Sequence, residues 1–231
     1  QLSSAAAAEV SLTLFHMREL LRFAARTPFK ALRNSEIGIR ELRRAEKELS
    51  DIGLTRTRLI TLLELARGLG FLDWGDPESL YDQADYGWWG PTRLAEEWIH
   101  ADAGTQWALL AMGWFGSLVQ TWVVGKDEDG KNINVFDEET VSPGALVLRR
   151  HLLTAARGFD PSETGKTEDV YSAYGYMYPQ HVVYMDPRAV PNMVANAEAF
   201  GLISGRATTG VTDILLPLFR DIPPDRETHS T

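Results

Sequence analysis

The chain has 231 residues, 44% of them apolar and 24% charged, with a net charge of −9, the balance of an ordinary globular protein able to bury a core. The absence of cysteine excludes disulfides and thiolate-bound zinc and fits a reducing cytoplasm. No apolar run reaches membrane-spanning length, and QLSSAAAAEV lacks both the charged start and the apolar core of a signal peptide; without an initial methionine, the chain reads as an internal piece of something longer.

Residues 9–26 form an amphipathic helix, with Leu14, Met17, Leu21 and Ala24 on one stripe and Arg18, Arg22 and Arg26 on another; Pro28 closes it. Residues 34–98 are the stretch around which the rest is organised. Ile39, Leu42, Ala45 and Leu49 recur every three or four residues and share a helix face. Arg40, Arg43, Arg44 and Lys47 fall on the rest of that circumference. Ser50, Asp51 and Gly53 break the pattern, and Thr55 is placed to cap a second helix whose apolar stripe is Leu59, Leu62, Leu63, Ala66 and Leu69. Gly68 and Gly70 end it, the latter suited to a left-handed helix terminus. Two helices joined by a short glycine-containing turn match helix-turn-helix proportions.

Strands are expected at Phe71–Trp74 and Tyr86–Trp89, with the acidic segment Asp73–Asp85 as a wing between them. Alternation along the strand sends the adjacent Trp88 and Trp89 to opposite faces; one is a core residue, and the other is either an exposed stacking surface or a second core contact. Thr92 can cap a helix to about His100. Residues 104–118 are apolar nearly all round, the mark of a buried helix. The stretches at 121–126 and 132–136 flank DEDG as a hairpin or an ordered loop, and Pro143 and Gly144 open a helix over 145–157. The last third adds helices at 168–178, stopped by Pro179, and at 187–200, ended by Gly201, before LIS and TDILL around a glycine-bounded turn. AEAFGLI at 197–203 resembles ELARGLGFL at 64–72, since each ends a helix on glycine and enters an apolar strand. The tail over 221–231 is polar and proline-rich, and reads as disordered.

These spacings predict a mainly α fold with small β wings (α+β): a winged-helix-like domain over 9–98, a Trp-rich helical linker with a hairpin or loop over 99–143, and a second winged-helix-like domain over 144–220. Charge divides along the same line. Residues 1–72 carry 12 Lys and Arg against 8 Asp and Glu, whereas residues 73–231 carry 11 against 24. A polyanion would meet the first part and be repelled by most of the second. Arg56 and Arg58 in the first turn of a helix oppose its dipole unless an anion comes to meet them.

No motif for chemistry survives inspection. DPSETGKT at 160–167 ends like a phosphate-binding loop, but Asp160 stands where the first glycine belongs and the preceding segment is helical. DEDGKNINVFDE at 127–138 places Asp127, Asp129 and Glu138 like a calcium loop, yet Gly130 comes two positions early and Lys131 occupies a ligand position. The histidines at 16, 100, 151, 181 and 229 have no paired-ligand spacing, and no nucleophile elbow is present. No catalytic residue, metal or cofactor is expected.

The runs LRNSEIGIRELRRAEKEL, LLELARGLGFL and PTRLAEEWIHADAGTQWALLAMGWF, followed by VVGKDEDGKNIN, LRRHLL and NAEAFGLISG, resemble actinobacterial proteins that carry the XPB-type helicase N-terminal domain. The resemblance covers roughly residues 30–216 and rests on dispersed apolar and tryptophan positions. It implies an accessory region of a DNA-repair or transcription-coupled helicase system, cytoplasmic and nucleoid-associated, that touches DNA or a helicase partner; the ATPase motor's own motifs are absent. Two expectations follow. In the first, Arg40, Arg43, Arg44, Lys47, Arg56 and Arg58 contact DNA phosphates with little base specificity. In the second, the acidic, aromatic-rich half docks a helicase or other protein and the winged helices are surfaces only.

Overall fold

The computed structural model describes residues 3–75, 86–126, 130–160 and 167–218. Ser3 accepts a hydrogen bond from the amide of Ala6 and starts α1 (Ser4–Arg26) ahead of the expected residue 9, since the run of alanines that follows is the best helix former available. A short strand β1 (Phe29–Lys30) leads to α2 (Ile39–Glu48), and Gly53 in the left-handed region turns the chain toward α3 (Arg56–Gly68). Thr55 caps α3 by accepting from the amide of Arg58.

Strands β2 (Leu72–Gly75) and β3 (Trp88–Pro91) then pair antiparallel, and β1 joins on the far side of β3, so the sheet order is β1-β3-β2. Most of the expected acidic wing, residues 76–85, lies outside the described residues. Of the adjacent tryptophans, Trp89 is buried and its indole N–H donates to the carbonyl of Ser35, while Trp88 stays half-exposed beneath Lys30. Gly87 is obligatory: its φ is +84°, and a Cβ there would stand 2.5 Å from the Trp74 indole nitrogen.

Thr92 caps α4 (Arg93–His100) and Asp102 caps α5 (Ala103–Gly116). Here the expectation of a wholly buried helix fails. Leu110, Ala111, Trp114 and Phe115 are buried, but Ala108, Leu109 and Met112 share an exposed face. The helix is apolar on both sides and the protein covers only one of them. The segment expected as hairpin or loop is a hairpin, β4 (Gly125–Lys126) against β5 (Asn132–Ile133).

After α6 (Gly144–Ala156) and α7 (Thr167–Met177), Pro179 does not merely stop the chain. It occupies the first turn of another helix, α8 (Pro179–Tyr184), where its missing N–H costs nothing and its fixed φ suits the start. Helix α9 (Ala189–Ala199) ends as α3 does. Gly70 and Gly201 are both left-handed, with φ of 72° and 68°, and the next amide reaches back five residues, Phe71 to Ala66 and Leu202 to Ala197, the signature of one glycine-terminated helix stop. Strands β6 (Ile203–Ser204) and β7 (Ala207–Thr208) follow as a tight hairpin. TDILL is not part of a strand; it lies in α10 (Gly210–Leu218), because the return strand was already completed at Thr208. Residues 219–231, including the tail, lie outside the described residues.

The protein is therefore mainly helical with a few small antiparallel sheets. One buried apolar cluster runs from Val10 to Leu216, so the boundaries expected near residues 98 and 144 do not divide the core. Polar ties cross them as well: Thr13 donates to the carbonyl of Ala199 at 2.7 Å and the Trp107 indole N–H to that of Phe200 at 2.8 Å. Among the described residues no helix is long and apolar enough to cross a membrane.

Candidate nucleic-acid interface

The six basic residues singled out in the sequence separate into two sets. Arg40, Arg43 and Lys47 occur at three- and four-residue intervals along α2 and are exposed in one stripe, with no ion pair among the described residues. Leu42 and Ala45 hold the opposite face of the helix in the core, so the stripe has to point outward.

Arg44, Arg56 and Arg58 are engaged inside the protein. Nη2 of Arg44 donates to Glu41 at 2.6 Å and more weakly to the carbonyl of Pro28 at 3.3 Å, and its guanidinium lies 5.0 Å from the centre of the Phe23 ring. Arg58 pairs with Glu9 of α1 at 3.0 Å. Arg56 pairs with Glu46 at 3.1 Å, both side chains being 36% exposed; such a pair is worth roughly 0–1 kcal/mol and yields readily to a competing anion. Arg44 and Arg58 therefore knit α2 and α3 to their neighbours.

Helix α3 itself is inaccessible along most of its length, because every residue from Leu59 to Ala66 is buried, including Thr61 and Glu64. It packs against α5, α9 and the turn at Thr121–Val123. A groove of DNA could not receive it without dismantling the core.

Between α2 and the β4–β5 hairpin lies a cleft of about 280 Å³ with Arg43 and Arg56 on its rim, Asn132 and Asn134 beside them, and Ile37, Leu42 and Ile133 in its lining. The hairpin is fastened there by the segment that follows it. Ile37 donates its amide to the carbonyl of Val135, Asn134 donates to Glu36 at 2.7 Å, and the amide of Phe136 donates to Glu64 at 2.7 Å. Arg67 donates to the carbonyl of Phe136 and lies over its ring and that of Trp89. Phe136 has φ +73°, a strained conformation for a bulky residue, and both its backbone polar groups are held by these two side chains. Burial pushes the carboxyl of Glu64 up to about 7, against the opposing pull of the Phe136 amide and of Arg67.

Two further buried groups were not foreseen from sequence. The guanidinium of Arg149 is enclosed, donating to the carbonyls of Ser117 and, at 2.6 Å, Val119, and lies over the Trp114 ring; burial lowers its pKa to about 9. It terminates α5 by supplying donors to the carbonyls that follow it. His151 and His181, thirty positions apart and without sequence spacing to connect them, pack together with Tyr178, the His151 ring lying 4.1 Å from Tyr178 and 5.1 Å from His181. Their nearly parallel rings do not converge on one point, and no group of three or more His, Asp or Glu among the described residues could hold a metal ion. Of the calcium-like and phosphate-loop-like stretches, residues 127–129 and 161–166 lie outside the described residues.

No family model matches the chain, and neither a curated protein nor a solved structure matches it significantly.

Proposed function

We propose that the chain is a non-catalytic accessory module that holds nucleic acid by its phosphate backbone, through the outer face of α2. The observation that carries this reading is the stripe of Arg40, Arg43 and Lys47, three cations without ion pairs among the described residues, exposed on one helix of an otherwise acidic protein. Arg56 adds a fourth cation at the adjoining cleft once Glu46 gives it up. Residues 9–98 are read as a winged-helix-like unit on the strength of their element order, helix, strand, two helices, two strands and a closing helix, and of the sheet order β1-β3-β2. Residues 144–220 are read as a second winged-helix-like unit without the basic face. In the first unit the second helix of the pair is core, so contact is made by the first, and no base is read. Association with a DNA-repair or helicase system rests on the sequence resemblance.

Fluorescence anisotropy with duplex, forked and single-stranded probes tests the reading. Micromolar binding is expected at low salt, with log Kd against log salt rising with a slope of about 2–3, from the counterions released when three cations neutralise three phosphates. Reversal of all three to glutamate should abolish it. Absence of binding at low salt would overturn the proposal.

A second reading, docking of a helicase or another protein through the acidic, aromatic-rich half, is favoured by the exposed Leu109 and Met112 on α5. It predicts that Met112→Asp impairs partner binding while leaving the fold intact.

A further inference from the structure

The rings at the junction of α6, α7 and α8 make an arrangement that neither reading above uses. Tyr178, the residue between α7 and α8, lies flat on His151 of α6, with an interplanar angle of 9°. His181 of α8 completes the group, 5.1 Å from the His151 ring and 5.5 Å from Tyr178. The hydroxyl of Tyr174 on α7 stands 3.3 Å from Nδ1 of His181. Thus the six-residue α8 is fixed to α6 through two imidazoles in contact.

The charged groups around this trio are of one sign. Arg150 is the neighbour of His151 on α6; α7 and the α7–α8 junction contribute only the phenols of Tyr174 and Tyr178. The acidic groups on the packed elements act on other partners: Asp169 pairs with Arg206, Asp213 with Arg157 and Asp186 with Arg188, and the charges of Glu168 and Glu198 are felt by Tyr171. Nδ1 of His151 is buried and has no hydrogen-bond partner among the described residues. A proton placed on it would be a buried donor without an acceptor, close to a second imidazole and a guanidinium.

We propose that His151, Tyr178 and His181 form a proton-operated latch, which holds α8 against α6 and α7 while the His151 imidazole is neutral and releases it when that ring takes up a proton. Stacking is compatible with two neutral rings. A protonated His151 is a buried donor without an acceptor beside the Arg150 guanidinium, with no carboxylate among the described residues to offset its charge. The expected direction agrees, since burial, then the His181 charge and then Arg150 depress the pKa of His151 below the ordinary 6.5. The docked arrangement therefore binds fewer protons than the released one, and its stability is lost as pH falls from 6.5 through the lowered value. Release would expose the aromatic surface of Tyr174, which is 1% exposed when α8 is docked.

The test uses the whole chain, following amide hydrogen exchange at residues 181–184 together with the histidine ring protons by NMR between pH 7.5 and 5.5. After correction for intrinsic exchange, protection at 181–184 should fall by up to about tenfold, the limit for one imidazole of ordinary value 6.5 over this pH range, while protection in α3 is unchanged, and the His151 ring should titrate below 6.5. His151→Phe keeps a flat ring against Tyr178 and removes the proton site; in it the protection should persist to pH 5.5. Should that variant fail to fold, His151→Gln removes the same proton site with a smaller side chain. Protection at 181–184 that is independent of pH in the native chain, or a pH dependence that survives these substitutions, overturns the latch.

Discussion

Helices α2 and α3 are neighbours in sequence, similar in length and both rich in arginine, yet the protein treats them oppositely. In α2 the apolar residues fill one face and the cations line the other. In α3 every position from Leu59 to Ala66 is buried, and its arginines survive only at the two ends, Arg56 and Arg58 at the start and Arg67 at the finish. The difference lies in what covers them. The second half of the chain brings α5, α9 and the turn at 121–123 onto α3, whereas α2 meets solvent. Two consecutive helices of similar composition thus need not share one environment, and the exposed one here is the first.

Substitutions can break or sharpen that contrast. The largest effect is expected at Leu62, which is fully buried at the centre of α3: Leu62→Ala should cost about 2–5 kcal/mol, measured by urea denaturation. Next comes Glu64 on the same helix. A carboxyl whose pKa is raised to about 7 when folded, against about 4.3 unfolded, binds more protons in the native state. Its contribution to stability is complete below the unfolded value and is lost as pH rises through the folded one, amounting to roughly 3 kcal/mol between pH 4 and 8. Glu64→Gln, which keeps an acceptor for the Phe136 amide, should flatten that dependence and leave the protein more stable than the native chain at pH 8. On α2, Arg44→Ala should cost about 1–2 kcal/mol, through lost contact with Phe23 and Phe29 as well as lost charge. The smallest effect belongs to Arg40, Arg43 and Lys47. Their joint replacement by alanine should move stability by no more than about 0.5 kcal/mol while removing the salt-dependent binding. A large loss of stability in that triple variant would mean the stripe is structural after all.

What was legible in the sequence was local. Thr55 and Thr92 cap the helices they precede, because a side-chain oxygen three residues before a free amide needs no distant partner. Gly70 and Gly201 end helices by one mechanism, and their flanking sequences showed it. Pro179 was legible as punctuation but not as a beginning, since proline marks both. Helix α5 was misjudged because its sequence is apolar on two faces, and only the packed chain decides which of them is covered. Of the six candidate basic residues, the exposure of Arg40, Arg43 and Lys47 followed from their periodicity. The engagement of Arg58 with Glu9 could not, since 49 positions separate them. The same holds for Glu36 with Asn134 and for His151 with His181, whose meetings are products of tertiary packing.

The strap over residues 134–136 has a consequence for how the protein is made. It supplies the bond that completes the edge at Ile37, the partner that occupies Glu64 and the ring that Trp89 and Arg67 rest upon. A nascent chain ending at residue 98 would carry every element of its amino-terminal sheet and still present an open strand edge and an unsatisfied acid in its core. Maturation of the first unit must then wait until the ribosome has delivered Phe136, and a fragment cut at the apparent domain boundary would inherit the same unfinished state permanently.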